Sequence, residues 1–130
     1  MSLRIVQPAG WASPKGYSNG VEAQGRLLFI AGQIGWDPVT CKVAKGFAAQ
    51  FDQALRNVMD VLRAAGGEPG HLARVTLYVS NKRQYVAALK QVGASWRQHV
   101  GRHYPAMTLV EVKSLLEPGA RVEIEATAVL

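Results

Sequence analysis

Strand-like and helix-like segments follow one another as ββ-α-β-α-ββ, which points to an α+β fold: a mostly antiparallel sheet carrying two helices on one face. Two stretches with apolar residues three or four apart supply the helices, and period-two alternation near the C-terminus supplies the plainest strand. No linker, internal repeat or low-complexity tract divides the chain, so residues 1–130 are read as one domain.

In chain order, Val21 to Ala23 and Leu27 to Ala31 flank the turn signal Gly25-Arg26 and read as a hairpin. Pro14, Gly16, Gly20, Gly32, Gly35 and Pro38 punctuate this third of the chain with loops. Phe47, Phe51, Leu55, Val58 and Leu62 then mark an amphipathic helix, stopped by Gly66-Gly67 and Pro69. Ala73 to Val79 is a strand by its β-branched and aromatic content. Ser80 or Asn81 caps a second helix, because a short side-chain oxygen accepts an orphan backbone N–H there. Tyr85, Leu89, Val92, Trp96 and Val100 form its apolar face, and Gly101 ends it. Gly93 inside that helix costs roughly 1 kcal/mol against alanine, so close packing is expected at that point. Thr108 to Lys113 and Arg121 to Ala128 close the chain as strands. In the last, Val122, Ile124, Ala126 and Ala128 share one face, and Glu123, Glu125 and Thr127 the other.

The composition is that of a globular domain, 48% hydrophobic and 18% charged, with no apolar run near the length a membrane helix needs. One cysteine, Cys41, excludes an internal disulfide and fits a reducing cytoplasmic location. Fifteen basic residues against nine acidic give a net charge of +6. The excess is local: Arg74, Lys82, Arg83, Lys90, Arg97 and Arg102 fall between Pro69 and Val110 with no acid among them, and the rest of the chain is neutral. Arg83, Lys90 and Arg97 recur every seven residues, which on one helix sets them on one side. That stripe is either a solvated helix face or a phosphate-binding surface, and no aromatic residues interleave with it for base stacking.

Several chemistries find no motif. There is no Gly-x-Ser-x-Gly elbow, no Walker loop and no dinucleotide-binding glycine pattern. His99 and His103 have the i, i+4 spacing of metal ligands, yet no third ligand is near in sequence, and they read as polar histidines at a helix C-terminus. Cys41 has no base beside it. Glu123 and Glu125 remain: they face either solvent or a cleft or subunit boundary, where carboxylates do acid–base work. The sheet face without helices must be polar or covered by another subunit.

Four stretches together resemble the RidA/YjgF family, the reactive-intermediate deaminases also labelled endoribonuclease L-PSP or translation initiation inhibitor. They are Gly16 to Val21 (Gly-Tyr-Ser-Asn-Gly-Val), Leu28 to Ile34 (Leu-Phe-Ile-Ala-Gly-Gln-Ile) with Asp37-Pro38, Ala54 to Asn57 with Ala64 to Gly66, and Tyr104 to Ala106 with Val110 to Val112 and Val122 to Ala126. The resemblance implies a chorismate-mutase-like protomer, a homotrimer and small-molecule clefts between neighbouring subunits, with no cofactor and no metal. It also implies Glu123 as the group that activates water and Tyr17 as a second polar group of the cleft, with Gly32 beside them. Substrate-binding positions carry over as Ala31, Gly32, Met107, Leu109 and Leu89, and Trp36 is a candidate aromatic wall.

At several of these positions the chain departs from the family pattern. Met107 stands where the family's deaminases have an arginine that forks onto the substrate carboxylate, Ala31 where they have serine, Leu109 where cysteine is frequent and Leu89 where asparagine is frequent. The expectation is an enamine or imine deaminase with altered substrate preference, an aminomuconate-like enamine being one candidate, with Arg102 or Arg121 as the replacement cation. A small-metabolite-binding trimer without turnover and an RNA-binding, endoribonuclease-like protein are the alternatives, RNA being the least favoured partner.

Overall fold

The computed structural model describes residues 2–130 as six strands and three helices. They are β1 (Ser2–Val6), β2 (Gly20–Gln24), β3 (Leu27–Ile34), α1 (Phe47–Ala64), β4 (Leu72–Val79), α2 (Lys82–Ala87), α3 (Leu89–His99), β5 (Ala106–Glu111) and β6 (Val122–Val129). The main sheet has the order β3-β6-β4-β5; β6 is antiparallel to both its neighbours, and β4 and β5 are parallel. This is the expected α+β arrangement with one face under helices.

Three local readings are corrected. The hairpin across Gly25-Arg26 does not form: β2 pairs with β1, and β3 pairs with β6. The backbone N–H of Arg26 donates to the Leu130 carbonyl at 2.7 Å, and a Cβ on Gly25 would lie 2.5 Å from that same oxygen. The glycine therefore lets the chain pass from one sheet to the other rather than turn back. Strand β1 was not anticipated, because residues 2–6 carry too short an apolar pattern to stand out. The second helix breaks at Ala88 into α2 and α3, so Arg83 is on one piece and Lys90 and Arg97 on the other.

Helix α1 buries Phe47, Phe51, Leu55, Val58 and Leu62 as its spacing implies, with Ala54 and Met59 beside them. It ends in a Schellman motif: Gly66 N–H donates to the Arg63 carbonyl and Gly67 N–H to that of Leu62, with Gly66 at φ 84°. Against α1 lie Val75, Leu77, Val79, Val122, Ile124, Ala126 and Ala128, the inner faces of β4 and β6. Asn81 caps α2, accepting from the Arg83 N–H at 3.0 Å.

Two buried amides fasten the loop between β3 and α1. Gln50 donates to the carbonyls of Ala44 and Gly119 and accepts from the Arg121 N–H, so its side chain is fully bonded. Asn57 donates to the Trp36 carbonyl at 2.9 Å.

A carboxylate joins the two long helices. Ser95 Oγ–H of α3 donates to Asp52 Oδ1 of α1 at 2.8 Å, and His99 Nε2 lies 2.9 Å from the same oxygen. Serine and histidine meet the acid, not each other, so no nucleophile–base pair is present there. Burial raises the Asp52 carboxyl, but the hydrogen bonds from Ser95 and His99 and the charges of His99 and Arg56 outweigh it and hold the group below its ordinary 3.8. A depressed folded-state value contributes stability that is fully present above the unfolded value and is lost as pH falls through the folded one. The urea midpoint of Asp52→Asn is therefore expected below that of the wild type at neutral pH and to converge on it in acid. A gap that stays constant down to pH about 2 would contradict this.

Candidate functional site

Six of the resemblance-derived residues fall into two groups on opposite faces of the main sheet. On the helix face, Tyr17, Leu89, Met107 and Leu109 line one cavity of about 390 Å³. Met107 and Leu109 project from edge strand β5 beside Val75 and Leu77 of β4, which turn the same way. Leu89 enters from the start of α3 and is half exposed. Tyr17 arrives on the loop before β2. Its neighbour Ser18 is stitched to the segment entering β5, donating from its N–H to the Pro105 carbonyl and from Oγ to that of Tyr104. The cavity's floor is apolar, with Phe51 and Trp96 behind it, and Trp96 is fixed by its Nε1–H donating to the His103 carbonyl at 3.0 Å.

On the open face, Glu123 and Gly32 line a separate cavity of about 360 Å³ with Tyr78, Glu125 and Leu116. The irregularity in β3 between Ile30 and Gln33 brings Gly32 against the Glu123 side chain. A Cβ at position 32 would lie 2.8 Å from the Glu123 carboxyl carbon and 2.9 Å from its Oε1, so only glycine leaves that carboxylate its place. Next along the strand, Glu125 Oε1 accepts from the Tyr78 hydroxyl at 2.6 Å, and that bond raises the Tyr78 phenol above its ordinary value. Glu123, by contrast, has no hydrogen-bonding partner among the described side chains. Phe29, 74% exposed, and Leu27 make the β3 edge of this face apolar and uncovered, while β4 and β6 present Arg74, Thr76, Tyr78, Glu123, Glu125 and Thr127.

Ala31 and Trp36 line neither cavity. Ala31 is exposed, its carbonyl accepting from Gln33 Nε2. Trp36 sits in the loop after β3, where its backbone pairs with Val43. Arg102 and Arg121 are also absent from the walls around Met107. The cations lining that cavity are Lys15 and Arg97, with no Asp or Glu of the same chain, and Arg74 lines an adjoining cavity with Tyr17 and Met107. In the sequence Arg97 belongs to the seven-residue basic stripe with Arg83 and Lys90. The signal that finds it is the spacing Leu89, Val92, Gly93, Trp96, Arg97, a single face of α3 that lines the cavity throughout.

His99 bonds Asp52, and His103 Nε2 lies 2.6 Å from the Leu72 carbonyl, so both imidazoles serve the packing of α1, α3 and β4. No helix among the described residues is long and apolar enough to cross a membrane.

Comparison with known proteins agrees with this fold. The family model described as endoribonuclease L-PSP matches residues 9–130. The 2-iminobutanoate/2-iminopropanoate deaminase of Salmonella typhimurium is 34% identical over 129 residues, 99% of this chain and 98% of that one. The crystal structure of YyfB from Yersinia pestis, a protein of unknown function in the conserved Rid family, superposes with a TM-score of 0.86 at 34% identity over 100% of both chains. That of the YjgF gene product of E. coli gives 0.72 at 32% identity over 87% of each. On the fold, on the match over nearly its whole length and on these relatives, the chain belongs to the RidA/YjgF family.

Proposed function

We propose that this chain is an imine or enamine deaminase whose site is assembled between subunits of a homotrimer and is shaped for a larger, more apolar substrate than 2-iminopropanoate. The observation that carries the reading is the division of the site residues: Glu123 beside Gly32 on one sheet face, and Tyr17, Met107 and Leu109 around an apolar cavity on the other. Within one chain the sheet separates them. A neighbouring subunit, docked on the exposed Phe29 and Leu27 face, brings one protomer's carboxylate to the other's cavity.

The chemistry suits the parts. Water adds to the imine carbon, forming a C–O bond while the C=N pair moves to nitrogen. Glu123 takes the water's proton and returns it to that nitrogen. Glu123 then takes the carbinolamine's hydroxyl proton and delivers it to nitrogen as the C–N bond breaks and the C=O bond forms, releasing ammonia and leaving the carbonyl compound. Met107 offers van der Waals contact where an arginine would offer a fork to a carboxylate, which shifts recognition toward the substrate's apolar body. An aminomuconate-like enamine belongs to the class considered.

Ammonia release tests this, with imines generated in the assay by an amino-acid oxidase from leucine, phenylalanine and alanine. Acceleration is expected to be greater for the two bulky imines than for the alanine-derived one. Ligands that stabilise the protein against heat and are recovered unchanged, with no acceleration for any imine, would instead mark a binding protein.

A further inference from the structure

We infer that Arg97, with Lys15 as a second cation, forms an anion-binding subsite at the mouth of the Met107 cavity and selects substrates that carry a carboxylate on an apolar body. This rests on the deaminase reading for the substrate's chemistry, but binding alone can test it. Both cations line the cavity, no acid of the same chain does, and neither enters an ion pair with a described residue of that chain. An unpaired guanidinium facing an apolar pocket is a receptor for a carboxylate, which it can hold with two parallel hydrogen bonds.

Gly93 supplies the independent observation. A glycine inside a helix implies close packing, yet a Cβ there would meet a single neighbour within 4 Å outside the helix backbone, the Arg97 guanidinium, at 3.3 Å from Nη1. Helix packing does not require this glycine. Its effect is to leave the space one turn before Arg97 empty, so that the guanidinium folds back along α3 toward the cavity that Gly93 also lines. The charge that Met107 does not supply from β5 is thus supplied from the facing helix, farther from the cavity floor, where a longer substrate would place its carboxylate.

Calorimetric titration with 4-methyl-2-oxopentanoate and with its methyl ester, on wild-type protein, Arg97→Met, Arg97→Lys and Gly93→Leu, separates charge recognition from apolar contact. The wild type is expected to prefer the acid by about tenfold or more, the preference weakening as salt rises. Arg97→Met is expected to lose it with ester affinity unchanged, Arg97→Lys to keep part of it, and Gly93→Leu to lower acid affinity by displacing the guanidinium. An acid-to-ester ratio in Arg97→Met equal to that of the wild type overturns the subsite, as does a wild type that does not distinguish the two. Failure of the deaminase reading looks different: the acid preference and its loss in Arg97→Met persist, and no imine is hydrolysed. Because Arg97 is exposed, its substitutions leave the folded core untouched.

Discussion

Glu123→Gln is expected to lower the rate of ammonia release by about 10² to 10⁴-fold, the range spanned by positioned general acid–base groups, with little change in KM. The amide keeps the side chain's length and its stacking on Gly32 but can neither take a proton from water nor return it to nitrogen. Loss of kcat without loss of binding is the signature of an interaction used in the transition state. Gly32→Ala is a geometric control, because the added methyl would crowd the same carboxylate from 2.8 Å away. A Glu123→Gln protein that hydrolyses imines at the wild-type rate would remove the carboxylate from the mechanism.

Met107→Arg is expected to invert the substrate order, raising kcat/KM for 2-iminopropanoate by about tenfold or more and lowering it for bulky imines. Tenfold corresponds to about 1.4 kcal/mol of transition-state binding, well within what a charge-assisted, two-point contact supplies. The position is only partly packed against the core, on an edge strand, so a longer side chain can extend into the 390 Å³ cavity without entering the closed interior. Unfavourable proximity to Lys15 and Arg97 tempers the gain at low salt. Steady-state kinetics on the alanine- and leucine-derived imines measure the inversion, and an unchanged ratio would show that residue 107 does not decide substrate choice.

How much of this was legible in the sequence depended on the range of the interaction. Alternation along β6 and the three-to-four spacing along α1 are set by which face is buried, and both are plain in the residues. The partner of β2 was not, because Gly25-Arg26 looks like a turn until the Leu130 carbonyl is seen pairing with Arg26. The break at Ala88 left no proline or helix-ending glycine to mark it. Within the candidate site, Glu123, Tyr17, Gly32, Met107, Leu109 and Leu89 came from motif resemblance, and their separation onto two sheet faces came from the coordinates. Arg97 escaped because a net charge of +6 invites a surface explanation for every arginine, whereas its neighbours on α3 are cavity walls.

The central claim, a site completed across a subunit boundary, is tested most directly by mixing two defective chains. Glu123→Gln removes the carboxylate and leaves the cavity; Leu109→Trp fills the cavity and leaves the carboxylate. Co-expressed and purified as mixed trimers, they are predicted to regain activity, with about one quarter of sites pairing an intact cavity with a neighbour's intact Glu123 under random assortment. Mixed trimers no more active than either parent, with all three proteins folded and trimeric, would contradict the account.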